Sequence, residues 1–252
     1  MQDGQTISSG EHADVETSSD GYAARFAGPA GAWMLGVQER IVLRWLARRP
    51  DATVLDVGGG HAQLAIPLAR AGWPVTVLGS TDACRQRVPP EVAAGRVQFV
   101  AGDLLALPFP DRSFDVAVSI RLLPHCAAWP RLIAELCRVA RQAVIVDYPT
   151  GQSLNFFSTA LFGAKKKIEK NTRPFTLFRH GMVAAEFARH GFPAAARRGE
   201  FFLPMVLHRM LKCPPASAAL EGVCGALGLQ RLLGSPVLAL FERQRFAEQA
   251  DH

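Results

Sequence analysis

The stretch Val54-Leu55-Asp56-Val57-Gly58-Gly59-Gly60-His61-Ala62 joins an apolar run, an acid and three glycines to the start of helical periodicity at His61. Glycine lets a backbone approach a ligand and take dihedrals closed to other residues. The first N–H groups of the following helix are unpaired and attract a carboxylate or a phosphate. A dinucleotide site wants G-x-G-x-x-G; Gly58 and Gly60 match it, but the sixth position is Gln63. An ordinary strand-to-helix turn is the plain alternative. Three other residues carry groups able to move a proton: Tyr22, His125 and Tyr148. His208 is read as structural. The five cysteines (Cys84, Cys126, Cys137, Cys213, Cys224) are scattered, with no C-x-x-C pair, no zinc-type Cys/His spacing and no serine-nucleophile motif, so no metal is expected.

The elements that must position these residues alternate. Trp33–Ala47 repeats apolar residues at helical spacing and stops near Pro50. Strands are expected at Thr53–Val57, Pro74–Leu78, Val97–Val100, Phe114–Ser119 and Ala143–Asp147, with helices at His61–Ala71 and Trp129–Arg141. A further helix is expected at His180–His190, and strands six and seven at Ala196–Leu203 and Pro236–Phe241. Strands separated by helices imply parallel pairing through right-handed crossovers, hence a doubly wound α/β sheet. In such a sheet the glycine turn lies at a strand's carboxyl end, where ligands bind.

The order of further motifs resembles one family. Asp56, Gly58 and Gly60, with Ala62 in place of a third glycine, resemble the D/E-x-G-x-G-x-G turn of class I S-adenosylmethionine (SAM)-dependent methyltransferases. Val97–Leu104 resembles their third strand and its acid, and Leu107–Asp115 their "lPfpdgsFD" stretch. Leu122–His125 and Leu136–Val139 resemble the "vLhH…E..RVl" segment of the small-molecule group related to ubiquinone biosynthesis, methyltransferase type 11. The likeness runs over about residues 50–148, and implies a mostly parallel, seven-stranded, Rossmann-like sheet.

The resemblance implies that Asp56, Gly58 and Gly60 line the methionine end of SAM. Asp103 would bond the adenine amino group and Leu104 would lie beside the ring. Ser119 and Ile120 would face the cofactor. Tyr22 and Arg25 resemble a "Y..RF" element that covers it. Two departures stand out. Strand two ends Leu78-Gly79-Ser80 with no acid for the ribose hydroxyls, which leaves Asp82 or the neutral Ser80 and Thr81. Arg141-Gln142 stands where the family has Pro-Gly-Gly. His125 and Tyr148 are the candidates for base and pocket residue. The implied function is SAM-dependent methyl transfer to a small, hydrophobic or lipid-like acceptor. A SAM-binding module without catalysis is the alternative, and an NAD(P)-linked oxidoreductase fits less well.

Composition places these motifs in one domain. The 252 residues carry a net charge of +6, unevenly spread. Residues 1–20 hold only acids (Asp3, Glu11, Asp14, Glu16, Asp20) and few bulky apolar groups, and are expected to be a disordered tail. Residues 21–242 form the expected SAM-binding domain, with substrate-recognition insertions at about 149–180 and 204–234, and 243–252 form a tail. Lys165–Arg173 is basic and has apolar neighbours, and 201–233 is largely apolar. These two segments, 156–173 and 201–233, are the expected peripheral membrane contacts. The basic stretch lacks interleaved aromatics, which disfavours nucleic acid. The start lacks a basic-then-apolar leader, no apolar run approaches the roughly 20 residues of a membrane span, and the scattered cysteines suit a reducing cytoplasm.

Overall fold

The computed structural model describes residues 14, 24, 26–59, 62–87, 96–153 and 175–244. The chain runs α1 (Gly28–Leu46), β1 (Val54–Val57), α2 (Ala65–Arg70), β2 (Val75–Gly79), a 3-10 turn (Asp82–Arg87), β3 (Val97–Ala101) and β4 (Phe114–Ser119). It continues through a 3-10 turn (Leu123–His125), α3 (Trp129–Val139), β5 (Ala140–Tyr148), α4 (His180–Arg189) and β6 (Ala194–Gly199). Three short helices follow, α5 (Met205–Leu211), α6 (Pro214–Ala226) and α7 (Leu229–Leu233), then β7 (Val237–Glu242). The seven strands form one sheet in the order β3-β2-β1-β4-β5-β7-β6. β1 to β5 pair in parallel; β7 runs antiparallel to both β5 and β6.

The strand order reverses between β1 and β4, so the crevice beyond their carboxyl ends is the switch point where open sheets bind ligands. Central strands are covered on both faces and read as continuous apolar runs; all four residues of β1 are buried. One core lies between the sheet and α3 and α4, around Leu55, Leu136, Tyr148, Phe187 and Phe241. The other lies beneath α1 and α2, around Val42, Leu46, Leu68, Val77 and Ile145. Edge strand β6 is different: Ala194, Ala195, Arg197 and Arg198 are exposed, and charge on an edge opposes pairing with another chain.

The motif before β4 and the Glu-x-x-Arg of α3 form one clasp. The Arg138 guanidinium donates to Leu107 O (2.9 Å), Phe109 O (2.8 Å) and Asp111 Oδ1 (2.9 Å), while Glu135 Oε2 accepts from Leu107 N (2.7 Å). Arg141-Gln142 has a similar job in place of a glycine turn. Both side chains donate to Asp115 Oδ1 at 3.0 Å, so β5 starts at Ala140 directly after α3, three residues earlier than expected.

Other boundaries also differ from the sequence reading. α1 starts earlier, at Gly28, and α2 spans only Ala65–Arg70. β6 ends at Gly199, not Leu203, because Phe202 N and Leu203 N turn away to donate to Glu221 (3.0 and 2.9 Å). In the apolar insertion, to which the sequence reading assigned no elements, Gly228 at φ 74° separates α6 from α7. In the acidic tail, Asp14 is fully buried.

Candidate functional site

The glycine turn is built as its sequence demands. Gly58 takes φ 77°, and a Cβ there would lie 2.8 Å from Leu122. Its N–H donates to Leu78 O (2.8 Å), tying the turn to β2. A Cβ on Gly59 would stand 2.2 Å from the Asp56 carboxylate. The turn is therefore tight because an acid is folded beneath it. Gly60 and His61 lie outside the described residues.

Asp56 is only 2% exposed, and burial pushes its pKa up to about 7, opposed by the Arg121 guanidinium. Arg121 follows β4 at φ 61°, a strained conformation for a residue with a side chain. The strain is held from both ends. Its N–H donates to Asp147 Oδ1 (2.5 Å), its guanidinium bonds Gln63 Oε1, and the same guanidinium lies 4.9 Å over the Phe26 ring. Its Nη1 is buried and has no hydrogen-bond partner among the described residues. A buried guanidinium nitrogen left in this state is costly and is suited to an incoming anionic oxygen.

The polar group continues under α1. Gln38 Nε2 donates to Asp147 Oδ2 (3.3 Å) and to Glu200 Oε1 (3.0 Å). Burial pushes Asp147 up to about 6, opposed by the Arg121 N–H and charge. Burial and then the Asp147 charge push Glu200 up to about 8. Three buried carboxyls thus share one guanidinium and one amide. Near neutral pH part of the compensation is protonation, chiefly at Glu200, since isolated buried carboxylates are far costlier than buried acids.

At the end of β2, Ser80 N donates to Asp14 Oδ2 (2.6 Å), and the Cys84 thiol lies 3.7 Å from the same oxygen. An acid does stand beside the strand that lacks one, supplied from the N-terminal segment. Ser80 Oγ is buried and has no hydrogen-bond partner among the described residues. Asp82 points elsewhere: its side chain is 81% exposed, 3.5 Å from Arg85.

The other expected site residues are dispersed around this crevice. Ser119 is buried and donates to Val57 O (3.1 Å), Ile120 lines the small cavity beside Asp56 and Gly58, and Leu104 is fully buried. Asp103 is exposed and its Oδ1 accepts from Leu105 N (2.8 Å). His125 ends the turn after β4, its ring 5.5 Å from Phe175. Tyr148 is fully buried in the core on the other face of β5 from Asp147, and its hydroxyl bonds His180 Nδ1. Burial holds the Tyr148 phenol well above its usual range and His180 below its own. Tyr22, Arg25 and the basic stretch Lys165–Arg173 lie outside the described residues.

His208 is structural, as expected. It is fully buried between Trp33 and Phe201, and its Nε2 lies 3.0 Å from Glu221 Oε1. Burial raises the Glu221 pKa, but bonds from His208, Gln230 and two backbone N–H groups win and hold it low. Sequence reasoning missed Gln38, Arg121, Asp147 as a functional group, and Glu200. A polar side chain in an apolar stripe or strand was the available signal for Gln38 and Asp147. Nothing in the sequence singled out Arg121 or Glu200.

Residues 55–146 match the family described as "Methyltransferase domain". A ubiquinone/menaquinone biosynthesis C-methyltransferase of Methylobacterium nodulans is 42% identical over 107 residues, covering 37% of this chain and 41% of the relative. A 2-phytyl-1,4-naphthoquinone methyltransferase of Nostoc is 28% identical over 141 residues, half of this chain and 62% of the relative. The matches thus span between about two fifths and three fifths of these relatives' lengths. A magnesium protoporphyrin IX methyltransferase of Synechocystis, solved with bound SAH, shares the fold with a TM-score of 0.64 at 16% identity, covering 92% of this chain and 98% of that one. Residues 55–146 are thus similar to the methyltransferase domain family, and the chain shares the fold of a solved methyltransferase.

Proposed function

We propose that the chain transfers a methyl group from SAM to a small, apolar acceptor of quinone-like or lipid-like character. The observation that carries the reading is the glycine turn with a buried acid on one side and the unpartnered Arg121 Nη1 on the other. That donor set fits an amino-acid end: Asp56 takes the ammonium, and Arg121 with the turn's N–H groups takes the carboxylate. Ser80 Oγ and Asp14 are assigned to the ribose hydroxyls, Leu104 and Asp103 to the adenine, and Ser119 and Ile120 to the crevice wall. The bond between Arg121 and Gln63 must open to admit the ligand, because the cavity beside Asp56 holds only about 20 Å³.

When bound, the cofactor supplies a methyl carbon made electrophilic by its sulfonium. The protein's part is alignment and exclusion of water. Where the acceptor atom carries a proton, His125 is assigned to remove it. Tyr148, buried and bonded to His180, is assigned to positioning the β5 end of the pocket. The acceptor class is supported by the named activities of the relatives. It is also supported by the insertion: eight of eleven exposed large apolar side chains among the described residues lie in 205–233, including Met210, Leu227 and Leu232. Clustered apolar exposure of this kind suits contact with a bilayer surface. Among the described residues no helix is long and apolar enough to cross a membrane.

Incubation with isotope-labelled SAM and fractionated extract tests the reading. Label in the lipid fraction is expected. Label confined to polar metabolites overturns the acceptor class, and SAM binding without any label supports the non-catalytic module instead.

A further inference from the structure

On the far side of Glu200 from the crevice lies an open groove of about 580 Å³ between α1, the end of β6, α6 and α7. Arg40, Arg44, Arg198 and Arg231 line it; Arg197, which alternates with Arg198 along β6, turns to the Tyr148 and His180 face of the sheet. All four lining arginines are exposed, and none makes an ion pair or hydrogen bond among the described residues. Arg40 and Arg44 are one helical turn apart on α1; Arg231 comes from α7, across the groove. Guanidinium groups gathered from three elements around one cavity repel each other unless an anion joins them.

The two carboxyls that line the groove offset only part of this charge, since Glu221 alone stays ionised. Glu221 is bonded to His208, Gln230 and two backbone N–H groups. Glu200 is buried, bonded to Gln38, and held largely protonated at neutral pH by burial and by Asp147. Trp33, Val37 and Phe201 add an apolar wall. On α6, a Cβ at Gly222 would meet nothing within 4 Å, so the helix leaves the groove open at that position.

We propose that this groove is a second ligand site, distinct from the cofactor crevice, for an organic anion bearing two or more phosphate-type charges and an apolar body. Planar guanidinium groups pair phosphate oxygens two at a time, which an ammonium does not. A free phosphorylated metabolite and a lipid headgroup share this chemistry. The site does not depend on the proposed methyl transfer.

Calorimetric titration of the full chain with inorganic pyrophosphate tests the proposal. One saturable site is expected at millimolar affinity or better. The double variants R40Q/R44Q and R198Q/R231Q should each weaken it about tenfold or more. Gly222→Phe should do the same by filling the groove without removing charge. None of these changes should move S-adenosylhomocysteine affinity, which separates loss of the groove from loss of the fold or of the crevice. Cosedimentation with vesicles containing cardiolipin, whose headgroup carries two phosphates, assigns the source. Sedimentation lost in all three variants assigns a headgroup, and pyrophosphate binding without variant-sensitive sedimentation assigns a free anion. Heat that does not saturate, or affinity unchanged in both arginine pairs, overturns the proposal.

Discussion

The crevice and the groove meet at Glu200 but solve opposite electrostatic problems. The crevice gathers Asp56, Asp147 and Glu200 around Arg121, all largely removed from water. There, protonation of carboxyls does part of the compensating, and pKa values rise to about 7, 6 and 8. The groove gathers four guanidinium groups that stay in water and cannot deprotonate. A buried acid can adapt to its surroundings by taking a proton; an arginine can adapt only by finding an anion. The first region is therefore sensitive to pH and to a cationic ligand, the second to salt and to anions.

The largest predicted effect breaks the crevice and spares the groove. Gly59→Val places side-chain atoms where the Asp56 carboxylate lies and should abolish detectable SAM binding, while pyrophosphate titration stays as in the parent. Next, Arg121→Met leaves buried carboxyls without their cation. Unfolding in urea should show a loss of about 3 kcal/mol, in the range for breaking a buried charge pair.

The pH response sharpens the contrast. All three crevice carboxyls have native pKa values above their ordinary ones of 3.8 and 4.5, so the folded state prefers their protonated forms. That contribution is complete below the ordinary values and is lost as pH rises through about 6 to 8. Thermal melts should therefore fall across this window. Glu200→Gln should flatten the upper part, and R40Q/R44Q should leave the slope unchanged.

Smaller effects sort the cofactor's far end. Asp14→Ala should weaken SAM by about 1–2 kcal/mol, as should Asp103→Ala, for a lost charge-assisted hydrogen bond. Asp82→Ala should leave calorimetric affinity unchanged, since Asp82 faces solvent. Equal losses at Asp14 and Asp82 would put the ribose assignment in error.

What was legible in the sequence follows from range. The glycine turn, the strand–helix alternation and the clasp motifs around Arg138 are local patterns, and the sheet assembles them as expected. The acid that stands beside Ser80 comes from Asp14, 66 positions away, and no local pattern links the two. The Gln38–Asp147–Glu200 bonds span separations of 109 and 162 residues, so only the folded sheet brings them together. The path of the insertion is set the same way: Glu221 anchors the chain at Phe202 and Leu203, 19 and 18 residues before it. The groove's arginines come from positions 40, 44, 198 and 231, and only the fold brings them together.

The most direct measurement is titration of the full chain with SAM in two buffers of different ionisation enthalpy near pH 7. If the ammonium group seats on Asp56, binding ionises a carboxyl whose pKa is about 7, and a fraction of a proton leaves the protein. The account predicts one site with buffer-dependent heat, with the proton release lost in Asp56→Asn along with most of the affinity. Binding with no proton release, or full affinity in Asp56→Asn, would contradict it.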